Sequence, residues 1–416
     1  MSNMKTAMVI GGGIGGLVTA LKLNREGVSV RVFESVGTIK ALGVGINLLP
    51  HAVRVLTELG LEEELKKTGI PTAELMYVNK FGKKIWQEDR GLNAGYRWPQ
   101  YSIHRGRLQM ILLKAVKERL GENAVVTGHH LTSFHDSGDN VTAEFITKRT
   151  GEHLGSYHAD VMIAADGIHS VVRNFFYPDE GPPKFSGRIL WRGLTESTPF
   201  LTGKSMIMAG HQDQKIVAYP ICPDTAAKGR SLVNWIAELT VGGEMPPRAD
   251  WNHAVDKEKF LPKFAKWDFG WLDVPQVIKS ATDIFEFPMV DRDPLPQWTF
   301  GRVTLLGDAA HPMYPIGSNG ASQAILDADA LGQSILENQN AELALKSYEQ
   351  IRMEPTANIV FANRKNGPEE VMQIVEERAT KGFESLDDVI TKQELEKIAN
   401  KYKKVAGFDR ETLNQK

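Results

Sequence analysis

Cysteine is almost missing from this 416-residue chain: Cys222 stands alone. A lone cysteine closes no intrachain disulfide and builds no multi-cysteine metal site, so a reducing compartment is expected. There is no run of about 18 apolar residues, and no membrane-spanning helix is expected. Residues 1–6 are polar and lack the apolar core of a secretory signal, which makes the cytoplasm the default location. Neither sign of charge dominates: 49 Lys and Arg stand against 51 Asp and Glu. That balance, without a basic stripe, argues against a nucleic-acid partner. His104, His169 and His211 show no metal-ligand spacing, and no GxSxG elbow marks an acyl-transfer nucleophile.

Apolar residues make up 42% of the chain and glycines number 38. The length suggests two or three domains with substantial cores. Residues 7–10 read as a first strand, 14–25 as a helix closed by Gly27, and 28–33 as a second strand ending at Glu34. Residues 52–67 and 107–120 have helical periodicity, and 160–165 form an apolar strand suited to a parallel sheet. Proline and glycine at Pro178, Gly181, Pro182 and Pro183 mark a boundary. Beyond it, an aromatic-rich stretch with short strands at 205–209, 215–219 and 232–236 reads as a second domain on an antiparallel sheet. The apolar strand 302–306 and helix 321–336 resume the first domain. The expected organisation is a first domain over 1–177 with a strand excursion near 70–100, a second over 178–290, the first resumed over 291–365, and a helical segment over 366–416 with its last ten residues frayed.

The first strand runs into Gly11-Gly12-Gly13-Ile14-Gly15-Gly16, a GxGxxG through Gly11, Gly13 and Gly16. Gly11 permits the tight turn, Gly13 leaves room for a pyrophosphate, and Gly16 lets helix and strand approach. The helix start beyond Ile14 and Gly15 offers unpaired N–H groups to phosphates. Glu34 is placed to accept hydrogen bonds from a ribose diol and to repel a 2′-phosphate, which favours an NAD-like nucleotide or FAD over NADP. A glycine turn without a ligand accounts less well for motif, register and terminal acid together.

Two later segments add specificity. One is Ala164-Ala165-Asp166-Gly167-Ile168-His169-Ser170, leading to Arg173. The other runs from Gly301 through Gly307-Asp308-Ala309-Ala310-His311-Pro312 to Pro315, Gly317, Asn319 and Gly320. Asp308 follows an apolar strand, where ligands of open α/β sheets bind, and the helix start after Gly320 favours an electron-rich group. On physical grounds alone this segment reads equally as a cofactor edge or as an ordinary strand–loop–helix connection.

Together these three segments resemble the cofactor motifs of the single-component FAD-dependent aromatic hydroxylases, of the salicylate and para-hydroxybenzoate hydroxylase type. The stretch from Met313 to Ala324 is most similar to the phenazine hydroxylase branch. The resemblance spans residues 5–365. It implies an α/β protein: a Rossmann-like FAD-binding domain with an interleaved second domain on a mixed or antiparallel sheet, plus C-terminal helices. It further implies that Gly11, Gly13, Ile14, Gly15 and Gly16 hold the pyrophosphate, with Glu34 on the ribose and Val126 near the adenine. Gly43, Val44 and Gly45 resemble the loop by the ribityl chain, and Arg105 the arginine that approaches the cofactor from a helix start. Asp166 matches a residue linked with FAD and NAD(P)H use, Asp308 a ribityl contact, and Pro315, Gly317, Ser318, Asn319, Gly320 and Ala321 the segment beside the flavin ring. Many relatives carry Gln between the last two glycines, where this chain has Ser318 and Asn319. The WxWxIP segment of the flavin halogenases is absent, since Trp191 is followed by Arg192 and Gly193.

The implied reaction is hydroxylation of a small aromatic or heteroaromatic compound with NADH or NADPH and O2, through a flavin C4a-hydroperoxide. Alternatives on the same fold are a flavin epoxidase, a halogenase or a Baeyer–Villiger-type enzyme; a flavin-binding sensor or scaffold without turnover is another. Only one complete GxGxxG occurs, so the nicotinamide is expected to dock transiently. Candidates for the substrate pocket are Arg192, which would attract a carboxylate or serve its motif, His211 as a base for a phenol, and Tyr219, Trp235, Met289 and Pro315 as lining. Aromatics of this kind are more often plain core. His311 is expected to be structural and Cys222 inert. The substrate, the preferred nicotinamide and the oligomeric state are not set by the sequence.

Overall fold

A computed structural model describes residues 4–246 and 255–415, so positions 247–254 of the expected second domain lie outside the described residues. The apolar run at the start forms Thr6–Ile10, central in a six-stranded sheet. It pairs in parallel with Ser29–Glu34 on one side and Val161–Ala164 on the other. Val125–Thr127, Val303–Leu305 and the antiparallel edge Thr299–Phe300 complete the sheet. Val161, Met162, Ile163 and Ala164 are all fully buried, which is why this strand reads as an unbroken apolar run. The helix Ile14–Arg25 buries Leu17, Val18 and Leu21 against the sheet and the later helix Gly320–Glu337. Residues 52–67, expected as one helix, form two, Pro50–Glu58 and Glu62–Thr68. Gly60 between them has φ +72°, which a right-handed helix cannot pass through.

A second sheet has seven strands, in the order Ile284–Asp291, Lys184–Ser197, Ser231–Thr240, Gln214–Pro220, Ser205–His211, Glu74–Val78 and Lys84–Asp89. Its neighbours are antiparallel except Ser205–His211 with Glu74–Val78, which run parallel. The excursion near 70–100 is thus corrected: it is no appendage of the first domain but the far edge of the second sheet. Leu75, Tyr77 and Ile85 bury apolar surface there with Met206 and Met208. One face of the second sheet packs on its own aromatic core around Trp235, Phe260 and Phe264. The opposite face packs in part on the C-terminal segment, through Val371, Met372 and Leu395, and in part lines the cavity described below. The fold is the expected α/β arrangement with an interleaved second domain and C-terminal helices.

The helix Ala341–Arg364 runs through Pro355, and Thr356 Oγ1 in the next position bonds back to the Arg352 carbonyl at 2.9 Å. Of the last ten residues, the described 407–415 are not frayed, contrary to expectation. They include the short helix Arg410–Asn414, capped by Asp409, with Phe408 and Leu413 buried against Tyr96 and Leu49. Among the described residues no helix is long and apolar enough to cross a membrane.

One buried carboxylate ties the resumed first domain together. Asp327 Oδ2 accepts the Gly307 N–H at 3.0 Å and the His311 ring N–H at 2.6 Å, while Oδ1 accepts from Arg352 Nε at 2.7 Å. His311 is therefore structural: it fixes the turn that carries Asp308. Burial pushes the Asp327 carboxyl up, but His311 and Arg352 outweigh it and hold it at about 2, against an ordinary 3.8. A carboxyl depressed in the folded state stabilises it above the unfolded pKa and loses that effect as the pH falls. Replacing Asp327 with Asn is expected to cost about 3 kcal/mol near neutrality, since it leaves Arg352 buried without its counter-charge. Urea unfolding at stepped pH checks this: the gap between wild type and D327N should be full above about pH 4 and shrink toward pH 2.

Candidate active site

A cavity of about 800 Å³ is lined by residues of both sheets. That is at the upper end for small-molecule sites. It starts at the glycine turn, follows the carboxyl edge of the first sheet, and ends in a chamber under the second.

At the first end, three backbones meet almost without side chains. Gly11 has φ +106°, and a Cβ there would collide with the Ala165 carbonyl; a Cβ on Gly16 would collide with the Gly11 carbonyl. Gly13 is different, with nothing within 4 Å of its Cβ position, and it borders the cavity with Gly11, Ile14 and Gly15. No side chain caps the helix that begins at Ile14, so its first N–H groups face open space. Glu34 borders this end too. Its Oε2 accepts the Gly12 N–H at 2.7 Å and its Oε1 the Val36 N–H at 2.9 Å, so the carboxylate also braces the turn. Gln109, which the sequence did not single out, donates to the Gly12 carbonyl at 2.7 Å. Val126 pairs with Phe33 inside the sheet and does not reach the cavity. The wall there is His129, His130 and Leu131, with His129 6.0 Å from the Phe33 ring.

Along the middle stand three polar groups. Asp166 Oδ2 accepts the Val171 N–H at 2.8 Å, while its buried Oδ1 has no partner; burial raises its pKa. Asp308 accepts no hydrogen bond from the described residues. It is open to the cavity yet enclosed by protein, and burial raises its pKa, opposed by His311 and Arg105. Arg105 opens the helix Arg105–Leu120 and extends its side chain to the cavity, while its N–H bonds the Val44 carbonyl at 2.9 Å. Gly43 and Val44 stand behind that bond, and of their loop Leu42 and Gly45 form the wall.

The loop after Pro315 closes this stretch. Ser318, Asn319, Gly320 and Ala321 line the cavity, and the helix from Gly320 has no side-chain cap. Gly317 and Ser318 are left-handed, at φ +68° and +61°. Gly317 does not line the cavity: its Cβ position is filled by the Tyr402 hydroxyl. That hydroxyl accepts from Asn319 Nδ2 at 2.7 Å and donates to Asn363 Oδ1 at 2.7 Å. A left-handed serine held by a buried network is the kind of backbone strain that gathers at ligand sites.

In the chamber, strand alternation decides which residues face the ligand. Leu190 and Arg192, Met206 and Met208, Lys215, Val217 and Tyr219, Ile236 and Glu238, and Met289 all line it. The intervening positions point into the aromatic core. Trp235 is corrected on this ground: it sits between Asn234 and Ile236 on the far face, fully buried, donating to Thr195 Oγ1 at 3.1 Å. His211 is corrected likewise. It shares parity with Ile207 and Ala209 and ends its strand beside Asp213, outside the cavity. Arg192, Tyr219 and Met289 line the chamber, and Pro315 borders it. Arg192 Nη2 and the Tyr219 hydroxyl both donate to the Gly45 carbonyl, at 2.9 and 3.0 Å, and Asn234 Oδ1 accepts the Gly45 N–H at 2.7 Å. Burial pushes Tyr219 up to about 12 and lowers Arg192. Cys222 lies outside the cavity but is not featureless: Arg107 Nη1 stands 3.6 Å from its Sγ.

A family model described as FAD binding domain matches residues 4–362. The chain belongs to this family. Over 360 residues it is 46% identical to the phenazine 1,6-dicarboxylic acid hydroxylase PhzS of Lysobacter antibioticus, covering 86% of this chain and 88% of that protein. It is 32% identical over 397 residues to the 3-amino-4-hydroxybenzoate 2-monooxygenase PtnB3 of Streptomyces platensis, covering 91% and 93%. In fold it is similar to HpxO of Klebsiella pneumoniae solved with FAD and uric acid, at TM-score 0.72, 22% identity and coverage of 100% and 96%. A salicylate hydroxylase substrate complex matches at TM-score 0.74, 23% identity and coverage of 99% and 97%. FAD is the family's cofactor, and the chain is an FAD-dependent monooxygenase. The cavity fits that cofactor: an open glycine, an uncapped helix start and an unpartnered carboxylate at Asp308 follow one another along one wall.

Asp308→Ala is expected to weaken FAD binding on the order of tenfold, the loss of one hydrogen bond to a charged group, ~1.5 kcal/mol. Flavin absorbance per protein after gel filtration reads it, and wild-type flavin content in the variant would refute the role. Tyr402→Phe is expected to leave flavin bound but change its fluorescence and visible bands, because Asn319 and the Gly317 turn lose their anchor.

Proposed function

We propose that this enzyme hydroxylates a flat, carboxylated nitrogen heteroaromatic, with NADH or NADPH and O2 as co-substrates. The observation that carries this reading is the continuity of the cavity: the dinucleotide cradle opens directly into a chamber of Leu, Ile, Val and Met with cations on its walls. An apolar slot buries the faces of a ring, and cations select an anionic substituent. The relationship to the phenazine dicarboxylate hydroxylase points the same way.

Bound FAD would supply the electron transfer from nicotinamide and the activation of O2. The chain's own residues bind, orient and exclude water. Gly13 and the helix start at Ile14 would hold the pyrophosphate, Glu34 the ribose diol and Asp308 the ribityl chain. The start of the helix Gly320–Glu337 would face the flavin ring and favour negative charge there. Arg192 and Tyr219 hold the Gly45 carbonyl, and Gly45 would stand between cofactor and substrate. Tyr219 remains a neutral phenol at working pH, so its role is to donate a hydrogen bond. The nicotinamide would dock transiently and leave. A chain with one cysteine suits the reducing cytoplasm.

The reconstituted holoenzyme is expected to oxidise NADH or NADPH several-fold faster when phenazine-1,6-dicarboxylate is added, and mass spectrometry should find a product that has gained oxygen. Nicotinamide consumption that yields only hydrogen peroxide with every carboxylated ring tried would reject the proposal.

A further inference from the structure

Four charged side chains gather at the inner end of the chamber, and nothing in the cofactor site uses them. Lys215 Nζ meets Glu238 Oε2 at 3.0 Å and is also paired with Glu369, while Arg188 Nη1 meets Glu238 Oε1 at 2.9 Å. All four are at least nine-tenths buried. Lys215, Glu238 and Glu369 line the cavity among Met206, Met208 and Ile236. Stability does not explain the cluster, because buried ion pairs are commonly replaceable by apolar residues at no cost. Placed in the wall of a cavity, it is available to a ligand.

Resting on the function proposed above, we propose that Lys215 anchors a carboxylate of the aromatic substrate, and that Glu369 occupies the substrate carboxylate's place until it arrives. The sheet register supports the position. Lys215, Glu238 and Leu190 form one row across three strands, and Val217, Ile236 and Arg192 form the next. Tyr219, which holds Gly45, is four residues along the same strand, about 13 Å from Lys215. A ring lying over Val217 and Ile236 therefore reaches the cofactor loop with one edge and Lys215 with the other.

Glu369 is the displaceable member. The other three belong to the sheet, whereas Glu369 comes from the turn Gly367–Glu369, entered through left-handed Asn366 and Gly367. The cluster is neutral as it stands: two cations and two carboxylates. A bound carboxylate leaves one negative charge too many unless a proton enters. Burial and Glu238 push the Glu369 carboxyl up, against Lys215 and Arg188, which makes it the group that takes the proton. The other titrating groups that feel its charge are the phenols Tyr77 and Tyr402, both pushed far above neutrality. The apparent KM for a carboxylated ring should thus rise with pH as Glu369 ionises, while that for an uncharged ring stays flat.

The test compares phenazine-1,6-dicarboxylate with its diamide on the holoenzyme. The double variant K215M/E369Q removes one charge of each sign and leaves the Arg188–Glu238 pair. It should keep its flavin, raise the dicarboxylate KM tenfold or more with little change in kcat, and change the diamide KM less than threefold. E369Q alone should lower the dicarboxylate KM several-fold and remove its pH dependence. Equal losses on both substrates, an unchanged dicarboxylate KM in the double variant, or a raised dicarboxylate KM in E369Q would each overturn the anchor. Wild-type enzyme that hydroxylates no carboxylated ring would overturn the proposed function and this inference together. An active wild type with an indifferent double variant would overturn this inference alone.

Discussion

Backbone against backbone at the glycine turn is the contact on which the cofactor half of the molecule depends. Gly11 lies on the Ala165 carbonyl and Gly16 on the Gly11 carbonyl, so a methyl group at either position would drive strand and helix apart. That approach brings the start of the helix Ile14–Arg25 to the carboxyl edge of the sheet, where its unpaired N–H groups face the cavity. It also sets the strand Val161–Ala164 beside the first strand, which delivers Asp166 to the same edge. The fold spends its smallest residues where chains cross and keeps Gly13, open on one side, for the ligand.

The substrate half follows a different rule. There the pleat of the second sheet sorts alternate residues into a packed aromatic core and a ligand chamber. The core side carries Trp191, Trp235 and Phe260, with the Trp191 and Phe260 rings stacked at 4.5 Å. The chamber side carries flexible methionines and a few charged groups. Rigid aromatics support the sheet from behind, while polarisable, adaptable thioethers meet a flat ligand. Buried charge in such surroundings stays ionised only when paired, and Lys215, Glu238, Arg188 and Glu369 are paired.

The sequence carried much of this in local signals. The strand–glycine–helix register around Gly11–Gly16 and the terminal Glu34 could be read because turn, helix start and acid are neighbours in the chain. Asp308 and Gly320 could be read for the same reason, as a strand followed by a helix start. What escaped was set by register or by distance. The face on which Trp235 and His211 fall depends on which residues of their strands look outward, and both faces of that sheet are apolar. Lys215 gave no signal because its partners, Glu238 and Glu369, are brought to it only by the sheet and by the C-terminal segment. The excursion near 70–100 was counted with the first domain because a strand's own residues do not name its neighbour, and the second sheet takes its strands Glu74–Val78 and Lys84–Asp89.

Tyr402 gives the chain an order of completion. Its hydroxyl fills the space over Gly317 and joins Asn319 to Asn363, although almost the whole length of the chain separates it from the glycine turn. The loop that carries Gly317 and Asn319 is also held by Asn363 at the Tyr314 carbonyl, but the hydroxyl that fills the space over Gly317 comes only with the helix Lys392–Val405. A chain stopped short of that helix would therefore keep the glycine turn and its helix start but lack the one group that fills the left-handed turn at Gly317.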